Sequence, residues 1–277
     1  MTPEQSRAAH RASAELLARG ALGVLQGTAD TAFMAALLRG AAPAGQPLAV
    51  GRPGADTAVS GLVAAVGGVR LLGADVLAPY VLTRQALPVE DAAAVRLAFS
   101  ALPPAQQPSL APPRGPEAPW VRAWVDWGLA GVLARLDPDT PCVPVAMAQG
   151  PPPWDARAPR RSSATADAGN RGEGWVGWSL RMGQLASLAL PGLHGPVHDG
   201  AVSGALALAR GATRSLLRRD FATAARITRW LAWLTAHGVA VPLDVSLLIE
   251  DIALRGGGDM CLLDAEISRR LLAGDGS

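Results

Sequence analysis

The chain has 277 residues, 49% hydrophobic and only 4% aromatic, with 25 basic and 23 acidic side chains and a formal net charge of +2. That apolar content over that length carries a sizeable core and excludes a disordered chain, and the near balance of charge excludes the strongly cationic surface that binds nucleic acid. Lysine is absent and Asn170 is the only asparagine, a bias expected of a GC-rich bacterial genome, so a Schiff-base lysine and a phosphate loop ending in Gly-Lys are both ruled out.

The first residues lack the charged-then-apolar layout of a secretory signal, because Arg7, Arg11, Glu15 and Arg19 interrupt the first apolar stretch. A cytoplasmic location is expected. Thr2, Pro3 and Gln5 spell a capping box, which predicts a helix running to Arg19 and stopping at Gly20. A second helix is expected from Thr28 to Arg39, followed by a turn-rich stretch over 41–54. Asp56 reads as the cap of a helix to Val66, and after Gly67-Gly68 a further apolar segment covers 69–83. Arg70, Asp75 and three glycines make this window a pair of buried helices rather than a membrane span. Pro88 opens the next helix, with Glu90 and Asp91 in the first turn where carboxylates oppose the dipole.

Seven prolines between 103 and 119 exclude helix there and predict a stiff linker or strap. Beyond it, Trp120 to Leu136 carries Trp120, Trp124, Trp127 and Gly131 on one stripe of a broadly apolar helix. Residues 142–147 are the best candidate for a short edge strand, and 148–174 read as a flexible loop bearing Arg157, Arg160 and Arg161. The last hundred residues form helices over 175–190, 196–219, 220–237, 244–255 and 259–273, with Asp220, Asp244 and Asp259 as caps. Asp220 and Asp259 open similar helices 39 residues apart, close to the period of helical-hairpin repeats. The fold expected is therefore mainly α: a multi-helix bundle or array with a solenoid-like C-terminal half and at most one short strand. Five regions follow from the breaks, namely 1–101, 102–119, 120–147, 148–174 and 175–277.

Cys142 and Cys261 belong to no C-x-x-C pair, no G-x-S-x-G elbow is present, and Gly256-Gly257-Gly258 follows no strand, so zinc, common hydrolase and dinucleotide signatures are missing. The one suggestive constellation is His194-Gly195-Pro196-Val197-His198-Asp199, in which His194, His198 and Asp199 are candidates for acid–base chemistry and His194 and His198 for a metal. Arg157, Arg160, Arg161, Trp175 and Trp178 are candidates for ligand contact. No cofactor is specified. With catalytic motifs absent, the expectation is a non-enzymatic interaction or scaffold protein that binds a protein partner or itself. The alternative is an enzyme or a small-ligand or metal-binding protein with a site near 194–199.

Overall fold

The computed structural model describes residues 2–41, 55–102, 105–138, 150–155 and 174–274, and is mainly helical with no strand among the described residues. The candidate strand at 142–147 lies outside them. The chain divides into two compact units, the first formed by residues 1–105 and 125–149, the second by 106–124 and 150–277.

In the first unit, α1 (Pro3–Leu25) begins with the capping box read from the sequence, the Thr2 hydroxyl accepting from the Gln5 amide and Gln5 Oε1 accepting from the Thr2 amide. It does not stop at Gly20. A side chain there would meet the Phe33 ring, so Gly20 is a notch into which α2 (Phe33–Ala41) packs, and the helix continues through it. The same correction applies to α3 (Ala55–Leu72), which contains Asp56 and runs unbroken through Gly67 and Gly68. A β-carbon on Gly67 would lie 2.5 Å from the His10 ring, and one on Gly68 would lie 2.9 Å from the Ser13 side chain. The paired glycines lie in the contact between α1 and α3, the most extensive helix contact of this unit, and are not a break. A 3-10 turn (Gly73–Leu77), α4 (Ala78–Thr83) and α5 (Val89–Ala101) follow. The segment Val59–Thr83 is long and apolar enough to cross a membrane by length and composition, and 67% of its most apolar window is buried.

Two polar constellations hold this unit. Arg70 makes two bonds to Asp126, donates to the Ala98 and Leu102 carbonyls at the end of α5, and lies over the Phe99 ring. Asp91, fully buried, does more than offset the dipole of its own helix: it accepts from the Ala35 amide at 2.8 Å, capping α2 from 56 residues away. Its other oxygen lies 2.5 Å from the hydroxyl of Tyr80, the only tyrosine, which also donates to the Thr31 carbonyl. Burial raises the Asp91 pKa, outweighing the opposite pull of the Tyr80 hydroxyl and the Ala35 and Met34 amides.

The second unit holds the start of α6 (Glu117–Leu136), through Trp124, while Val125 onward belongs to the first. Here the proline-rich segment is followed by helix earlier than expected, with Pro119 in the first turn. It continues with α7 (Trp175–Gln184), a 3-10 turn (Ala186–Leu188), α8 (Pro196–Ser203), α9 (Ala205–Leu217), α10 (Phe221–Ala236), α11 (Val245–Arg255) and α12 (Asp259–Leu272). The single helix expected over 196–219 is two, divided at Gly204, where the Trp178 ring occupies the place of a side chain. Asp220 and Asp244 cap as expected, accepting from Thr223 and Leu247. Asp259 instead is the first helical residue, behind Gly258 at φ +86°.

Helix α10 is the axis of this unit and packs against α7, α8, α9, α11 and α12. Ten of its residues are buried, from Ala224–Ala225 through Ile227–Leu234, so it has no solvent face over its middle turns. Trp154 stacks on Trp120 and meets Trp124 edge-on, and it fills the space left by Gly200 of α8.

The buried bond from Ala35 to Asp91 gives a test. Asp91→Ala removes the side-chain acceptor of the buried Ala35 amide and should cost about 1–3 kcal/mol in urea unfolding. Asp91→Asn keeps a side-chain oxygen to accept from the Ala35 amide, and should cost clearly less at neutral pH. Because a raised folded pKa contributes stability at low pH that is lost as pH rises through it, Asp91→Asn should also flatten that part of the pH–stability profile.

Candidate functional site

The residues singled out by the sequence separate into different places. His194 is exposed just before α8, and His198 is buried within it, 3% exposed. Their ring centroids are 6.0 Å apart. A third histidine, His237 at the end of α10, joins them with its ring 6.3 Å from His194. The sequence does not signal its presence there, because it lies 39 residues beyond His198, and only the packing of α8 on α10 brings the two ends together.

Tryptophans enclose the buried member. His198 meets Trp230 and Trp233 at 5.5 and 5.0 Å, and His237 stacks on Trp233 at 3.9 Å. Nε2 of His198 lies 3.0 Å from the Leu188 carbonyl, which only accepts, so the proton sits on Nε2 and Nδ1 is the bare nitrogen. In the same way, His237 donates from Nδ1 to the Trp233 carbonyl at 2.8 Å. Burial lowers the pKa of His198 to about 4, with smaller downward contributions from His194 and His237 and an upward one from the Leu188 carbonyl. His198 is thus a neutral packing element near pH 7. Asp199 is exposed on α8, and among the described residues no cluster of three histidine, cysteine or carboxylate groups is placed to hold a metal.

The acidic residues of the last helices are already engaged. Asp264 pairs with the fully buried Arg229, Glu266 takes Arg269 and Arg270, and Glu250 takes Arg269. Trp178 is buried against Gly204, while Trp175 has a different setting. It lines an open groove of about 630 Å³ together with residues of α9, Arg218, Pro242 and Leu243. Arg157, Arg160 and Arg161 lie outside the described residues.

The groove combines two kinds of side chain. Leu206, Leu217 and Leu243 are 41%, 80% and 36% exposed. Arg210, Arg214 and Arg218 follow one another at intervals of four along the same wall. Among the described residues no acidic side chain lines the groove and these three arginines make no ion pair. The i, i+4, i+8 spacing is present in the sequence, where these arginines read as scattered basic residues until α9 is known to turn that face outward. Comparison with protein-family models, with curated proteins and with solved structures finds no match.

The buried histidine makes the second unit acid-sensitive. A lowered folded pKa means that His198 contributes stability above its ordinary value of 6.5, and that this is lost as pH falls toward about 4. The full loss corresponds to about 3 kcal/mol. His198→Phe, which cannot charge, should flatten the profile between those pH values, as followed by denaturant unfolding with tryptophan fluorescence. An unchanged slope would show that His198 is not the group responsible.

Proposed function

We infer that this chain is a non-enzymatic, cytoplasmic helical interaction protein whose second unit offers its groove to a protein partner or to another copy of itself. The observation that carries this reading is the exposed mixture of leucine and arginine on α9. A leucine left in water forgoes about 1.5–3 kcal/mol relative to burial, and Leu217 is four-fifths exposed. Arginine and aromatic residues are the side chains most enriched at protein interfaces, and Trp175 stands beside the three arginines. Leu247 and Leu254 on α11, 68% and 84% exposed, add further apolar surface to the same unit.

The groove also differs from the usual form of a catalytic pocket. Such pockets enclose their ligand and converge a few polar groups of differing character on it. Among the described lining residues the charged groups are all cationic, and the Thr213 hydroxyl donates to the Ala209 carbonyl of its own helix with no histidine or carboxylate in the lining to act as its base. The fold behind the wall favours presentation of a fixed surface: Ala207, Leu208, Gly211 and Ala212 bury the inner face of α9.

A photo-crosslinking amino acid at Leu217 tests the reading in the cells that make the protein. It should yield a discrete adduct, either with another polypeptide or at the mass of a dimer. The same group at Leu97 of the first unit, 40% exposed, should yield none. Absence of any adduct from positions 206, 217 and 247, together with a monomer by light scattering at every concentration, would sink it.

A further inference from the structure

The geometry points to an acidic amphipathic helix of a separate protein as the segment that occupies the groove, an identification that rests on the partner-binding reading above. Arg210 and Arg214 of α9 and Arg218, its C-terminal cap, are spaced by four residues, so they extend over about 12 Å along the helix axis at about 1.5 Å per residue. A helix laid along α9 with carboxylates at i, i+4 and i+8 repeats its charge at that rise and can meet all three guanidinium groups. Its adjoining stripe, if apolar, falls on Leu206, Leu217 and Leu243.

Other occupants use less of the site. A small anionic amphiphile has one head group and engages one or two of the three cations. A nucleic-acid backbone would set phosphates against exposed leucines and calls for a broad cationic field, which a net charge of +2 does not supply. A second copy of this chain is a poor source as well, since no described helix carries two carboxylates four residues apart. Asp251 and Glu250, the acids of α11, are already paired with Arg255 and Arg269.

The test titrates the full chain against a labelled synthetic helical peptide with glutamates at i, i+4 and i+8 and leucines on the adjoining stripe, read by fluorescence anisotropy. Saturable binding is expected, weakening about tenfold or more when salt rises from about 0.05 to about 0.5 M. Arg214→Glu should weaken it at least as much, and a peptide with lysine at the central charged position should restore binding to that variant. Arg214→Gln, checked for unchanged helicity by circular dichroism, should give an intermediate loss. Equal binding of the acidic peptide by the Arg214→Glu protein, or of an all-lysine peptide by the unaltered protein, would overturn the proposal. So would displacement of the acidic peptide by a medium-chain fatty acid at stoichiometric amounts. A crosslinked adduct at Leu217 without peptide binding would refute the acidic helix and leave partner binding standing, whereas failure of both would remove the two together.

Discussion

The second unit depends on the burial of α10 from all sides. A helix with no solvent face must find partners for its polar side chains within the protein or leave them unpaired at a cost: the Thr228 hydroxyl and the Trp233 indole N–H have no hydrogen-bond partner among the described residues, while Arg229, fully buried at the centre, is held. Its guanidinium reaches Asp264 of α12 at 3.2 Å and the Ala189 carbonyl, which ties two neighbouring segments to one point on α10. Removing one member of such a pair commonly costs about 3–5 kcal/mol, because the other charge remains buried. Trp230 is held through its indole N–H on the Met182 carbonyl of α7, and His198 of α8, packed against Trp230 and Trp233, stays neutral. The helices around α10 are placed by these polar demands as well as by apolar area.

Once α10 is fixed, the character of α9 follows. Its small inner residues, Gly211 among them against Ser179, let it lie close to α7 and α10, which leaves its longer side chains facing outward. Leucines and arginines therefore share the outer face on a backbone held firmly from behind. A surface held in this way is suited to recognition, since little ordering of the wall is needed on binding.

The first unit solves a similar problem with different groups. Arg70 and Asp126 are joined by two bonds and close the end of α5, and Asp91 caps α2 through a contact 56 residues distant. Glycines serve here as packing surfaces: Gly20, Gly67 and Gly68 each receive a neighbouring side chain or backbone. A rule that ends helices at glycine fails at all three, because the lost propensity, about 1 kcal/mol, is small beside the packing that closeness allows.

Local chemistry is legible in the order of the residues alone. The capping box at Thr2 and the caps at Asp220 and Asp244 depend on atoms within a few residues of one another, and helical periodicity names the class of fold. The pairing of His194 with His198 is legible for the same reason. What joins His237 to them, carries Asp91 to α2, pairs Arg229 with Asp264 and turns Arg210, Arg214 and Arg218 outward is decided by which helix faces pack together. Those faces are chosen by contacts between residues tens of positions apart, which compete against one another across the whole unit and leave no local mark in the sequence.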